Sequence, residues 1–162
     1  ECWHHADDPA NLQAACAGFG GDAKAMISQV TEVRRWGLFR HPVAACWQKG
    51  QVAIMGDAAH PTLPFMAQGA VMAMEDAWVL AASLGKADNI TAALKLYQER
   101  REHRARRVIA AASGNAWKYH LKFPPLRFAA HVAMRLGSSV APARMLHQFD
   151  WLYTHDVTAT QK

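Results

Sequence analysis

The sequence predicts an α/β chain, mostly helical with a few strands. Three features carry that reading: apolar residues recur at helical spacing along much of the chain, one short apolar run at 51–55 ends at Gly56-Asp57, and proline and glycine punctuate the segments between. With 162 residues, 51% of them hydrophobic and 19% charged, the chain has the size and balance of one ordinary globular domain.

Glu1-Cys2-Trp3 reads like the end of a strand and lacks an initiating methionine, so the chain is expected to begin inside a larger protein. Asp8-Pro9 supplies an N-cap and a first-turn proline. Leu12, Ala15, Cys16 and Phe19 follow at helical spacing, and Gly20-Gly21 is expected to stop that helix. Asp22 is expected to cap a second short helix with Ala25, Met26 and Val30. From Glu32 to Phe39 the pattern turns strand-like around Val33, Trp36 and Leu38. Residues 51–55 suit a buried strand entering a tight glycine turn, followed by a loop to Met66 that holds Pro61 and Pro64. A long apolar helix is expected from Gln68 to Leu84, closed by Gly85. Thr91 can cap the next helix, which places Leu94, Tyr97 and Val108 on one side. Pro124-Pro125 break the chain, a helix from Leu126 to Leu136 ends at Gly137, and a last short helix covers Arg144–Tyr153.

Composition narrows the function classes. Three cysteines (Cys2, Cys16, Cys46), odd in number and without C-x-x-C spacing, argue for a reducing compartment and against a disulfide framework or zinc site. No signal peptide opens the chain, and no apolar run approaches the ~20 residues of a membrane span, so a cytoplasmic location without membrane attachment is expected. The net charge of +5 comes largely from Arg100, Arg101, Arg104, Arg106 and Arg107. No aromatic residues interleave that cluster for base stacking, so it is read as a solvated helix face with intrahelical ion pairs rather than a nucleic-acid surface. The nine histidines are scattered without an H-E-x-x-H pairing, so no metal is expected. A G-x-S-x-G elbow is absent as well, which leaves a hydrolase unsupported.

The informative stretch is Gly56-Asp57-Ala58-Ala59-His60-Pro61, with Pro64, Ala67-Gln68-Gly69-Ala70 and Glu75-Asp76-Ala77. Physically it is a strand, a glycine turn, a proline-stiffened loop and a helix that starts with small residues. Small residues admit a ligand to the backbone, and the free N–H groups of a first helical turn attract an anion or an electron-rich oxygen. Asp57 at a strand end can accept hydrogen bonds from a ribose or polyol hydroxyl. Taken alone, this physics gives an anion- or polyol-binding turn.

The same residues resemble the second FAD-binding motif of the single-component flavin aromatic hydroxylases. The group is that of salicylate hydroxylase, 3-hydroxybenzoate 6-hydroxylase and 6-hydroxynicotinate 3-monooxygenase; Met66-Ala67-Gln68-Gly69-Ala70 and the ending Asp150-Trp151-Leu152-Tyr153 share its pattern. The resemblance implies the C-terminal, mostly helical part of an FAD/NAD(P)-binding three-layer fold. Residues 1–50 would end a substrate domain and return to the FAD domain, 51–85 would form the second FAD-binding motif, and 86–162 a C-terminal helical region. It also implies a cofactor-binding set of Gly56, Asp57, Pro64, Gln68, Gly69, Ala70 and Val71. Asp57 would meet the ribityl chain, the amides of Gly69-Ala70-Val71 would face the flavin N1–C2=O edge, and Pro64 would lie against the reacting face of the ring as the one residue with a catalytic placement. His60 reads equally as a loop histidine bonded to backbone, Glu75 and Asp76 as supports for neighbouring loops, and Met72, Met74 and Trp78 as core.

The family's chemistry implies that NAD(P)H reduces FAD and that O2 then gives a flavin hydroperoxide, which hydroxylates a small activated phenol or N-heteroaromatic substrate. The family's G-x-G-x-x-G turn is not in this sequence; Gly18-Phe19-Gly20-Gly21 is read as a helix cap and loop. The chain alone is therefore expected to be inactive without the N-terminal part of the same protein, and to self-associate through the faces that part would cover. Two other readings stand beside this one: a same-fold flavoprotein reductase, and a non-enzymatic partner-binding fragment.

Overall fold

Asp8 opens the first helix as its residue type demands. In this computed structural model, which describes residues 4–159 without the side chains at 4, 118, 119 and 145, its carboxylate accepts a hydrogen bond from the Ala10 N–H at 2.8 Å. Pro9 fills the first turn, where its missing N–H leaves no bond unmade. That helix, α1 (Pro9–Ala15), follows β1 (His4–Asp7) in the chain, and β1 pairs antiparallel with β2 (Val33–Trp36), with His4 opposite Trp36 and Asp7 opposite Val33. The expected strand end at 1–3 falls outside the described residues. α1 stops at Cys16, before the glycines, and Gly20 starts α2 (Gly21–Ser28) as its N-cap, leaving Asp22 in the first turn. The glycine pair therefore begins a helix instead of ending one. Neither helix buries a residue. These elements make up one compact unit, Glu1–Phe39.

The second unit, Arg40–Lys162, holds the core. Its hairpin pairs β3 (Gln48–Lys49) with β4 (Val52–Ala53) around Gly50, whose φ of +61° suits a residue without a Cβ. The apolar run at 51–55 thus forms a two-residue strand, and Val52 is 69% exposed. The expectation of a buried strand does not hold, because among the described residues β3 is its only strand neighbour. Two 3-10 turns follow, Gly56–Ala58 and Pro64–Met66, before α3 (Gly69–Lys86).

α3 packs against α4 (Ile90–Tyr119), which is opened by Asn89: its side chain accepts from the Ala92 N–H at 2.9 Å, so Asn89 and not Thr91 is the cap. Gly85 lies inside α3's last turn, and α3 closes at Ala87. One core cluster gathers Val43, Trp47, Ala59, Val79, Tyr97 and Ala105; a second gathers Met66, Met72, Val108, Ala112 and Leu152. Full burial of each larger side chain contributes about 1.5–3 kcal/mol. Leu94, Tyr97 and Val108 do share the buried side of α4. Met72 is core as expected, but Met74 and Trp78 point outward at 65% and 51% exposure. On a helix of this period they fall off the stripe of Met72, Glu75, Asp76, Val79 and Ser83 that meets α4.

Pro124 and Pro125 occupy the first turn of α5 (Pro124–Val140), which runs through Gly137 and buries no residue. Pro142 then starts α6 (Pro142–His147), and α7 (Asp150–Tyr153) follows, so the expected last helix is two short ones. Cys16 and Cys46 are free thiols. Among the described residues no helix is long and apolar enough to cross a membrane, and no group of three or more His, Cys, Asp or Glu could hold a metal ion.

Candidate functional site

Gly56 is where the chain turns under α3. Its φ is +57°, and a Cβ there would stand 3.3 Å from the Ala73 Cβ, so both backbone and packing call for glycine. The Gly56 carbonyl accepts from the amides of Ala59 and His60, each at 2.9 Å, which tightens the 3-10 turn that carries Asp57. Asp57 itself is exposed. Its Oδ1 lies 4.0 Å from where a Cβ on Gly69 would stand, so the carboxylate sits beside the first residue of α3.

The second turn prepares the helix from the other side. Pro64 is exposed at its start, and Ala67 closes it in the left-handed region at φ 52°, the one non-glycine residue with positive φ among those described. The Ala67 N–H donates to the Pro64 carbonyl at 3.2 Å. α3 then begins at Gly69 with Gln68 as N-cap and no side chain bonded to its first-turn amides. Gly69 is half-buried, and Ala70 and Val71 are exposed, so those amides are open to a ligand. Gln68 is buried, and its Oε1 has no hydrogen-bond partner, an unmatched polar atom at the helix entrance.

Of the residues singled out in the sequence, Gly56, Asp57, Gln68, Gly69, Ala70 and Val71 thus gather around one helix N-terminus, and Pro64 stands on the turn that leads into it. A carboxylate beside a row of uncapped amides can take a polyol hydroxyl and an electron-rich oxygen of one ligand. Those are the two needs of a flavin's ribityl chain and N1–C2=O edge, so the residues present fit that group.

Beneath this surface lies a charged network. Asp76, fully buried, accepts the Gly56 N–H at 2.9 Å and the His60 Nε2 at 2.6 Å on Oδ2, and the Arg101 Nε at 2.7 Å on Oδ1. Burial pushes the Asp76 carboxyl up, but the bonds from His60, Arg101 and the Gly56 amide outweigh it and hold it below its ordinary range. Asp76 is therefore an acceptor only, which places the proton of the shared bond on His60 Nε2. His60 does not bond to backbone through its ring as expected; the ring packs on Trp47 with centroids 5.1 Å apart. Glu75 takes Arg101 Nη1 at 2.7 Å and Arg104 through Nε and Nη2 at 2.7 Å each. Its carboxyl is likewise raised by burial and lowered further by the two arginines, with a net shift downward. Burial and the Asp76 charge push the Tyr97 phenol well up, so it remains a neutral hydroxyl.

Asp76 thus does support the neighbouring turn, whereas Glu75 pairs with the α4 arginines instead of a loop. The arginine cluster is the expected solvated face only in part: Arg100, Arg106 and Arg107 are exposed, while Arg101 and Arg104 turn inward. Arg106 makes an intrahelical pair with Glu102 at 2.6 Å, but Arg101 is 2% exposed and Arg104 reaches the Trp151 and Leu152 carbonyls at 3.3 Å. Arg107 lies 3.9 Å over the Trp151 ring. A signal was present in the spacing: Arg101 falls on the stripe Leu94, Tyr97, Arg101, Val108, Ala112, which the charge count concealed. Trp47, missed in the sequence, is buried between His60 and Tyr97, with Nε1 donating to the Ala44 carbonyl at 2.9 Å.

The family model described as FAD binding domain matches residues 13–112. The chain is 36% identical over 155 residues to 3-amino-4-hydroxybenzoate 2-monooxygenase PtnB3 of Streptomyces platensis, covering 94% of this chain and 37% of that protein. It is 39% identical over 111 residues to 6-hydroxynicotinate 3-monooxygenase of Bordetella bronchiseptica, covering 67% of this chain and 29% of that one. Among solved structures, a salicylate hydroxylase substrate complex superposes with a TM-score of 0.71 at 25% identity, over 98% of this chain and 38% of its own. The chain thus matches between 29% and 38% of the length of these relatives. With its glycine turn and open helix entrance in place, the chain belongs to the FAD binding domain family, and the relatives named above are aromatic-ring monooxygenases.

Proposed function

We propose that this chain supplies the flavin-ring end of the FAD site in a monooxygenase that hydroxylates a small aromatic or N-heteroaromatic ring, with NAD(P)H as reductant and O2 as co-substrate. The observation that carries the reading is the Asp57 carboxylate beside the uncapped amides of Gly69, Ala70 and Val71. In this reading Asp57 accepts from ribityl hydroxyls, and the α3 amides stabilise negative charge at the N1–C2=O edge. Gly56 and Gln68 shape the turn and the helix entrance, and Pro64 borders the reacting face and excludes water there. Bound FAD would supply the redox and oxygen chemistry. Residues 1–50 lead from a substrate domain, 51–85 form the cofactor motif, and 86–162 brace it. The pyrophosphate contacts come from another segment of the same protein, working in the cytoplasm.

The 162-residue chain alone then binds FAD weakly and self-associates, since Val52, Trp78, Phe128 and Leu136 lie exposed. Calorimetry on this chain checks the first point: submicromolar FAD binding would contradict it. Sedimentation at rising concentration checks the second, with a strict monomer as the contrary result. In the natural gene product, Asp57→Ala should weaken FAD binding about 10- to 150-fold, the loss of ~1.5–3 kcal/mol from a hydrogen bond to a charged group, with an unchanged melting temperature. Unaltered affinity in that variant would remove Asp57 from the site.

A further inference from the structure

The Gly56–His60 turn is held from below by a residue that lies outside the turn and outside the motif. Arg101, on α4, spends all three guanidinium nitrogens on α3: Nε on Asp76 Oδ1 at 2.7 Å, Nη1 on Glu75 Oε2 at 2.7 Å, and Nη2 on the Met72 carbonyl at 3.4 Å. The other oxygen of Asp76 is the one that holds the Gly56 amide and the His60 ring. One buried carboxylate thus has the scaffold on one oxygen and the ligand-facing turn on the other. Rotation of that carboxylate would move Gly56 and the exposed Asp57 next to it.

We propose that Arg101 is a positioning residue: through Asp76 it fixes the Gly56–His60 turn, and so sets where Asp57 stands relative to the first amides of α3. Three further observations support this. The pathway is short and dry, since Arg101, Asp76 and His60 are each at most 2% exposed, so water cannot take over the bonds. The fork geometry is specific to arginine, because two adjacent carboxylates on α3 need donors held at a fixed spread, which a lysine ammonium lacks. His60 closes the arrangement from the opposite side, wedged against Trp47, so the carboxylate has one orientation that satisfies every donor.

The inference rests on the flavin reading for its purpose but not for its test. Amide exchange on the ligand-free chain reads the turn directly. In Arg101→Lys, which keeps the charge and loses the fork, the Gly56 amide should exchange faster, while interior amides of α3 and α4 such as Val79 and Val108 keep their protection. In Arg101→Gln the Gly56 rate should rise about 10-fold or more, the scale of one lost charge-assisted bond. The Nε2–H signal of His60, kept from exchange by Asp76 in the native chain, should broaden in the same order. Should the Gln variant fail to fold, the Lys variant decides alone. In the Lys variant, equal rises at Gly56, Val79 and Val108 would mean simple loosening and overturn the proposal, as would an unchanged Gly56 rate. In the natural gene product, FAD affinity should fall in step with Gly56 opening. Wild-type protein that binds no FAD would defeat the flavin reading while the exchange result still decides the role of Arg101. Normal FAD affinity in an Arg101→Lys protein with an opened turn would overturn the positioning role.

Discussion

α4 and α5 have similar raw material and opposite fates. Both carry apolar residues at helical spacing and several basic ones, yet α4 buries Leu94, Tyr97, Arg101 and Val108 while α5 leaves Leu126, Phe128, Val132, Met134 and Leu136 exposed. The difference is the partner. α4 packs against α3, which offers Glu75 and Asp76 where arginine side chains arrive and Met72 and Val79 on either side of them. α5 packs, among the described residues, mainly against the six-residue α6. An amphipathic pattern thus states that a face can be buried, and a neighbour of matching chemistry decides whether it is. Even a charge can enter a core when the facing helix supplies its counter-charges.

The largest expected effect tests that last point. Arg101→Ala strips Asp76 Oδ1 of its partner and leaves Glu75 with Arg104 alone in a dry interior, and should cost about 3–5 kcal/mol of stability in denaturant unfolding. Arg127→Ala on exposed α5 should stay within about 0.5 kcal/mol. Comparable losses for the two would erase the distinction between the helices. Next, Met72→Ala should cost about 2–5 kcal/mol through a cavity against Val108 and Leu152, whereas Phe128→Ala should be nearly neutral by the same measurement.

Acid should separate the two helices in a different way. Asp76 and Glu75 have folded-state values depressed below the ordinary 3.8 and 4.5. Their contribution is fully present above those ordinary values and is lost as pH falls through the depressed ones. Amide protection in α3 and α4 should therefore hold from neutrality to about pH 5 and decline below pH 4.5. Protection in α5, whose sequence contains no carboxylate, should not follow that curve. Smaller again, Gly56→Ala should cost about 1–2 kcal/mol for the left-handed backbone, and more if Ala73 cannot give way. Asn89→Ala should cost about 1 kcal/mol from the lost cap of α4, read as a small shift in the unfolding midpoint.

Elements whose physics is local could be read from the residues alone. Asp8-Pro9 caps a helix because its side chain and fixed φ act within two residues, and the glycine at 56, the prolines at 61 and 64 and the small residues from 69 define a turn, a loop and an open helix start wherever they occur. The resemblance to the FAD binding domain family was legible for the same reason: a ligand cradle made of backbone needs particular residues at fixed spacing. Other local readings missed by a few residues, as at Thr91 and Gly85, where Asn89 and Ala87 proved the better ends. Pairing at a distance could be read only from the folded chain. Arg101 and Asp76 stand 25 residues apart, and nothing within either segment says that they meet. The run at 51–55 is apolar enough for a buried strand, yet burial needs neighbouring strands, and β4 has β3 alone beside it among the described residues. The charge of an arginine is fixed by its chemistry; whether it faces water or holds a binding turn in place depends on which helix the fold sets against it.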